Sequence, residues 1–351
     1  MFDMPDYDGH ESVHWFHDAA TGYRGLIALH DTTLGPACGG TRMWAYASAD
    51  AALTDALRLS RGMSYKNAMA ELPLGGGKSV IIGDARTQKS PALMRAHGRA
   101  VDSLAGRYVT AMDVGMTEAD METISTVTRH VAGFAQKGKT GGDPSPMTAW
   151  GVFCGIRAAA KAGLGTDDLK GVRVAIQGAG NVGYETARHL KAAGAVLTVA
   201  DVNEANLKRA VETLDAKVAP TETVHAAEAD IFAPCALGAI LDDRTIPELK
   251  AKVVAGGANN QLAVPSVHGA MLAARGVLYA PDYVINGGGI IRVCGQIYDW
   301  SDETIRAKTE RIGATLSEIF AAAKAEGRPT HEIADAIARG RIAAARRPKA
   351  A

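Results

Sequence analysis

Apolar and polar residues along the chain fall into two periods, one suited to short strands and one to long helices. Residues 12–16 and 24–30 alternate or run apolar around the turn DAATGY, which predicts a strand pair near the start of a first domain. Residues 51–70 contain few breakers and predict a long helix. Gly75-Gly76-Gly77 then reads as a turn, and Lys78 leads into the apolar run Val80-Ile81-Ile82, a strand. Residues 90–105 predict a helix, and 108–111 a strand ending at Met112-Asp113-Val114-Gly115. Thr117, with Asp120 three residues on, has the form of a helix N-cap.

Residues 133–146, GFAQKGKTGGDPSP, are the only Gly/Pro-rich interruption long enough for a hinge, so the chain is expected to divide there. The expected domains are 1–135 and 136–329, with a C-terminal helix, 330–351, packing back on the first. Ser145-Pro146 offers an N-cap and first-turn proline for a helix to residue 162, which Gly163 stops. A strand at 172–177, a helix to 193 and a strand at 196–200 follow. Residues 230–236 and 253–260 have buried-strand patterns, and 302–325 and 330–346 are helical. This order predicts an α/β protein whose second domain is of Rossmann type.

Composition narrows the picture by exclusion. A chain of 351 residues with 47% hydrophobic content can bury two cores. Lys+Arg and Asp+Glu both number 38, so there is no net basic field to attract nucleic acid or a membrane surface, and a small, roughly neutral partner is expected. Cys38, Cys154, Cys235 and Cys294 form no C-x-x-C pair, which speaks against a disulfide framework or zinc and for a reducing cytoplasm. The histidines lack metal-ligand spacing, so no metal is expected. No apolar leader and no run of about 18 apolar residues occurs, consistent with a cytoplasmic protein.

Four stretches carry candidate chemistry. Three adjacent glycines cost conformational entropy and suit backbone that lies against a ligand. Burial of the lysine after them, Lys78, would lower its pKa towards the range useful for proton exchange, although a solvated loop lysine fits the composition as well. Residues 34–43 read as a loop with a second glycine pair, Gly39-Gly40, beside Cys38. Asp113 closes a strand. Gly178-Ala179-Gly180-Asn181-Val182-Gly183 lies between a strand and a helix, and Asp201 closes the next strand, which together form the dinucleotide-binding pattern. Asp201 is expected to accept from ribose hydroxyls and repel a 2′-phosphate, favouring NAD over NADP.

Residues 63–84, MSYKNAMAELPLGGGKSVIIGD, resemble the catalytic segment of the amino acid dehydrogenase superfamily that acts on glutamate, leucine, phenylalanine and valine. The likeness covers nearly the whole chain and is greatest to the leucine and phenylalanine enzymes. It implies a cleft between the two domains, NAD as cofactor, a homo-oligomer and reversible oxidative deamination of an L-amino acid. By resemblance, Lys66 holds the substrate carboxylate, Lys78 is the catalytic base and Asp113 assists it. Gly39 and Gly40 approach the substrate, while Cys38, Ala111, Ile290 and Val293 match the side-chain pocket. Ala236, Ala258 and Asn259 match cofactor contacts, and Asn260 a substrate contact. Arg292 departs from the small polar residue expected at its position. The pocket residues imply branched-chain substrates first, with phenylalanine as the alternative; a hydroxy acid reductase and a silent dinucleotide-binding regulator are the remaining readings.

Overall fold

The computed structural model describes residues 2–135, 141–236 and 238–346, so part of the expected hinge lies outside the described residues. The chain forms two compact units, Met1–Asp143 with Arg292–Asp302 and Ala338–Ala351, and Pro144–Ile291 with Glu303–Ile337. This corrects the linear division. Residues 292–302 belong to the first unit and 330–337 to the second, because the late helices each contribute to both, which a cut at one hinge segment does not capture.

In the first unit, strands β1 (Ser12–Asp18), β2 (Tyr23–Asp31) and β3 (Ala37–Trp44) precede helix α1 (Ala49–Met69) and strand β4 (Gly75–Ile82). Helix α2 (Pro91–Asp102), strand β5 (Tyr108–Met112) and helix α3 (Glu118–Ser125) follow. The sheet order is β1-β2-β4-β3-β5. β1 and β4 run antiparallel to β2, whereas β3 runs parallel to both β4 and β5.

Leu26 to Leu29 run apolar without alternation because both faces of the sheet are covered. Leu26 and Ala28 pack with Ala52, Ala56 and Leu57 of α1. Ile27 and Leu29 pack with Met94, Val101 and Ile124 of α2 and α3. The N-cap at Thr117 is present as a full capping box with Asp120.

Two expectations about glycines are overturned. Gly75-Gly76-Gly77 is not a turn but the buried start of β4, and most of the expected loop at 34–43 is β3. The glycines are there for close approach: a Cβ on Gly76 would lie 2.1 Å from Ser64 Oγ and 2.2 Å from Ser64 N of α1. Periodicity failed because strands this tightly covered need small residues rather than alternating ones.

In the second unit, helix α4 (Ser145–Leu164), strand β6 (Arg173–Gln177), helix α5 (Asn181–Ala192), strand β7 (Val196–Ala200), helix α6 (Glu204–Leu214) and strand β8 (Lys217–Val218) come first. Strand β9 (Ile231–Pro234), helix α7 (Thr245–Glu248), strand β10 (Val253–Val254), helix α8 (Pro265–Ala274), strand β11 (Leu278–Tyr279) and helix α9 (Asp282–Ile285) complete the sheet and its covers. Helices α10 (Gly288–Ile297), α11 (Asp302–Glu326) and α12 (Thr330–Ala345) end the chain.

The sheet is parallel throughout, in the order β11-β10-β9-β6-β7-β8. Strand order reverses between β6 and β9, the switch point at which open α/β sheets hold ligands. The start and stop expected for α4 are also corrected. Its N-cap is Pro144, with no side-chain cap, and it ends at Gly165 in the left-handed region with φ +81°. Gly163 stays helical, and a Cβ there would lie 2.5 Å from Val253 Cγ2 of β10.

Beneath β3, β4 and β5 runs a buried polar network. His97 Nδ1 meets Tyr23 Oη at 3.0 Å and His97 Nε2 meets Thr41 Oγ1 at 2.8 Å. Tyr108 Oη donates to the Gly39 carbonyl at 2.6 Å, which fixes the strand that carries Gly40. Burial lowers the His97 pKa to about 3, so the fold holds it neutral while the unfolded chain takes up a proton below about 6.5. Stability contributed by His97 is therefore full above about pH 6.5 and drains as pH falls towards 3, on the order of a few kcal/mol in all. His97→Gln should lower Tm at pH 7, with the gap to wild type narrowing on acidification to pH 4. Calorimetry at both pH values checks this, and a gap independent of pH would refute it.

Candidate active site

The registers of β4, β3 and β5 set one row of residues side by side. Cys38 pairs with Gly76 and Val109, Thr41 with Ser79 and Met112, and Gly40 with Ala111, so Lys78 falls opposite Gly40. Asp113, two residues beyond Ala111, returns to the same face. Gly40 has no side chain to fill the space between, and a Cβ there would lie 2.7 Å from Asp113 Cβ. Across that gap Lys78 Nζ donates to Asp113 Oδ2, with Lys78 only 5% exposed.

A second cation completes the group. Arg42 Nε lies 3.4 Å from the same Asp113 oxygen, and Arg42 Nη1 donates to Asp55 Oδ2 of α1 at 2.9 Å. Tyr46 Oη donates to that Asp55 oxygen as well. Burial pushes the Asp113 carboxyl up. The Lys78 and Arg42 charges and hydrogen bonds from Lys78 and the Val114 N–H outweigh it, holding the pKa below the ordinary carboxylate value.

Lys66 is half-buried on the last turns of α1. That part of the helix is seated on the strand starts: Met63 Cγ would lie 3.1 Å from a Cβ on Gly39, and Asn67 Nδ2 donates to the Gly75 carbonyl at 2.7 Å. Arg341 Nη1 donates to the Ala68 and Met69 carbonyls at 3.1 and 3.0 Å, capping the end of α1.

Ala111 and Val293 come together around Gly133. With φ +84°, Gly133 takes a conformation other residues rarely adopt, and a Cβ there would sit 3.5 Å from Ala111 Cβ and 3.9 Å from Val293 Cγ2. Gln296 holds this backbone by accepting from the Gly133 N–H at 2.7 Å and donating to the Phe134 carbonyl at 2.8 Å. Cys38, paired with Val109, is one step deeper and wholly buried; burial pushes its thiol up to about 12. Ile290 stands one turn before Val293 on α10, in the second unit. Arg292 Nη2 donates to the Gly141 carbonyl at 2.8 Å and Nη1 lies 3.1 Å from Asp302 Oδ1, so its role in the structure is to tie down chain.

In the second unit the glycine motif forms a cradle at the carboxyl ends of β6, β9 and β10. A Cβ on Gly178 would lie 2.8 Å from Ala236 Cβ, one on Gly183 1.9 Å from the Gly178 carbonyl oxygen, and one on Gly180 would enter open space. Gly180 caps α5 without a side-chain hydrogen bond, leaving the N–H groups of Asn181, Val182 and Gly183 for an anion. Val182 lies against Gly257, and the Ala258 N–H donates to the Pro234 carbonyl at 2.9 Å. Asn259 Oδ1 accepts from Asn286 at 2.7 Å, and exposed Asn260 is left-handed with φ 52°. Asp201 Oδ2 accepts from the Ala179 N–H at 2.6 Å, so the acid also shapes the loop it follows. A pyrophosphate with a ribose beside Asp201 fits this donor set.

The sequence reading missed Arg42, Asp55, Gly133 and Gln296. Arg42 and Asp113 share a parity across β3 and β5, a signal that becomes readable only once residues 34–43 are recognised as strand. No spacing rule links Gln296 to Gly133, which lie 163 positions apart. His189 packs on Trp150 and Phe153. No cluster of metal-ligating side chains occurs among the described residues.

Residues 10–130 match the family described as Glu/Leu/Phe/Val dehydrogenase, dimerisation domain, and residues 142–205 and 199–349 match Glutamate/Leucine/Phenylalanine/Valine dehydrogenase. The chain is 50% identical to a leucine dehydrogenase of Geobacillus stearothermophilus, over 99% of this chain and 94% of that protein. It is 48% identical to a valine dehydrogenase of Streptomyces coelicolor, over 97% and 94%. Its fold matches the crystal structure of L-tryptophan dehydrogenase from Nostoc punctiforme with TM-score 0.85 and 43% identity, covering 97% of each chain. These matches bear out the resemblance read from residues 63–84: the chain belongs to the Glu/Leu/Phe/Val dehydrogenase family of amino acid oxidoreductases.

Proposed function

We propose that this protein catalyses the NAD-dependent, reversible oxidative deamination of apolar L-amino acids, branched-chain ones first and aromatic ones second. The observation that carries the reading is the ion pair of buried Lys78 with half-buried Asp113, beside the small apolar surface of Ala111, Gly133 and Val293. Relatives named for leucine, valine and tryptophan support the substrate class.

Nicotinamide dinucleotide, when bound, supplies the hydride acceptor. Lys66 pairs with the substrate carboxylate, and its ammonium offers a charge-assisted hydrogen bond. Once the amine has become an imine, water attacks the imine carbon. Lys78 takes the proton that water loses and returns it to the nitrogen of the adduct; the hydroxyl proton then leaves as the C–N bond breaks, giving the 2-oxo acid and ammonium. Asp113 stays ionised and holds the Lys78 side chain towards the reacting carbon. Asp201 favours NAD, because a 2′-phosphate beside its carboxylate would be repelled.

Ala111, Gly133 and Val293 offer no cation to a distal carboxylate, so glutamate would bury an unpaired charge. A methylene misfit costs only about 1–3 kcal/mol, which leaves activity on several apolar acids. Initial rates of NAD reduction with leucine, valine, isoleucine, phenylalanine, tryptophan and glutamate test the assignment. Branched-chain acids should give the highest kcat/KM, aromatic acids roughly 10–200-fold less, and glutamate none. Silence on every acid, or glutamate as the best substrate, would overturn it.

The dinucleotide preference has its own test. Asp201→Ser should raise kcat/KM with NADP relative to NAD, while weakening both because the Ala179 N–H loses its partner. An unchanged ratio would remove Asp201 from the ribose site.

A further inference from the structure

We infer that Arg42 is a positioning residue for proton transfer, the permanent counter-ion that stays with Asp113 when Lys78 gives up its proton. The inference rests on the reading of Lys78 and Asp113 as the proton-handling pair. Its own basis is the placement of Arg42 two residues beyond Gly40 on β3, on the face that carries Asp113.

Arg42 and Lys78 approach the same oxygen, Asp113 Oδ2, from neighbouring strands. The Arg42 Nε contact at 3.4 Å is a charge contact without hydrogen-bond geometry, and that buried N–H has no other partner. The outer end of Arg42 is fixed by Asp55 at 2.9 Å, which Tyr46 holds in turn. The groups facing one another are thus Lys78 from β4, Arg42 from β3, Asp113 after β5, Asp55 from α1 and the Tyr46 hydroxyl after β3: two cations, two anions and a neutral donor.

Lys78 acts as a base only after its ammonium has released a proton to solvent. That step removes one positive charge from a half-buried carboxylate, and leaving such a charge uncompensated is costly. Arg42 cannot lose its charge at any working pH, so Asp113 keeps a partner and remains ionised. When water then adds to the iminium carbon, the C=N electron pair moves to nitrogen, which becomes a neutral amine, and the water proton moves to Lys78 Nζ, restoring its starting charge. Without Arg42, Lys78 becomes the sole counter-ion of Asp113 and gives up its proton less readily.

The test is the pH profile of kcat/KM for deamination of leucine by the full-length protein, with Tm measured alongside. Arg42→Met should move the ascending limb to higher pH by about one unit, and Arg42→Lys should restore most of the shift. Asp55→Asn frees Arg42 from its competing anion and should move the limb the opposite way. A folded Arg42→Met with the wild-type limb overturns the inference. If Arg42→Met does not fold, Asp55→Asn decides alone: a downward shift supports the inference and an unmoved limb refutes it. Asp113→Asn separates the two levels. Wild-type turnover in that variant would sink the reading of the pair itself, whereas its loss together with unmoved Arg42 and Asp55 profiles would sink only the role of Arg42.

Discussion

Lys78 reaches Asp113 only because the residue between them, Gly40, has no side chain. The pair needs three strands in one register, and a shift of one residue in β3 would point Arg42 away from Asp113 and bring Thr41 into the gap. That register is held from the opposite face by the network of His97, Thr41, Ser79 and Tyr108, all fully buried. A satisfied polar network under the sheet thus supports a charged group above it. Asp113 is 23% exposed and keeps Arg42 as a second partner, so loss of Lys78 costs the unit less than breaking a fully buried pair would.

The glycines of the first unit share this logic. Gly76 lets α1 press on β4 and seats the turn that bears Lys66, while Gly40 makes room for Asp113. Gly133 leaves a bare left-handed backbone between Ala111 and Val293, where a side chain would crowd both. In the second unit Gly178 and Gly183 bring backbone together at the switch point of a parallel sheet, and α5 begins with donors that no side chain caps. The two units therefore use glycine differently, one to pack strands around charges and one to shape a loop for an anion.

Much of this was legible in the sequence because it is local. The strand, glycine loop, helix and acid at 173–201 follow one another within thirty residues, and the capping box at Thr117 needs only four. The row of Lys78, Gly40, Ala111 and Asp113 was not legible by pattern: the resemblance named these residues and put Asp113 near Lys78, but it carried no strand register. β3 and the start of β4 are buried and glycine-rich, so they showed neither alternation nor β-branched enrichment and read as loops, whereas the end of β4 and β5 read as strands. The interleaving of the units and the hold of Gln296 on Gly133 depend on helices that return after more than 150 residues, which periodicity cannot register.

The account turns on Asp113 being kept ionised by its two cations, and the titration of that carboxyl tests it most directly. Infrared spectra of wild type minus Asp113→Asn across pH isolate the protonated-carboxyl band of this residue. The band should appear only below the ordinary carboxylate range in the wild-type background, and at higher pH when Lys78→Met is present in both members of the pair. A wild-type band at or above the ordinary range, or one that Lys78→Met leaves in place, would contradict the account.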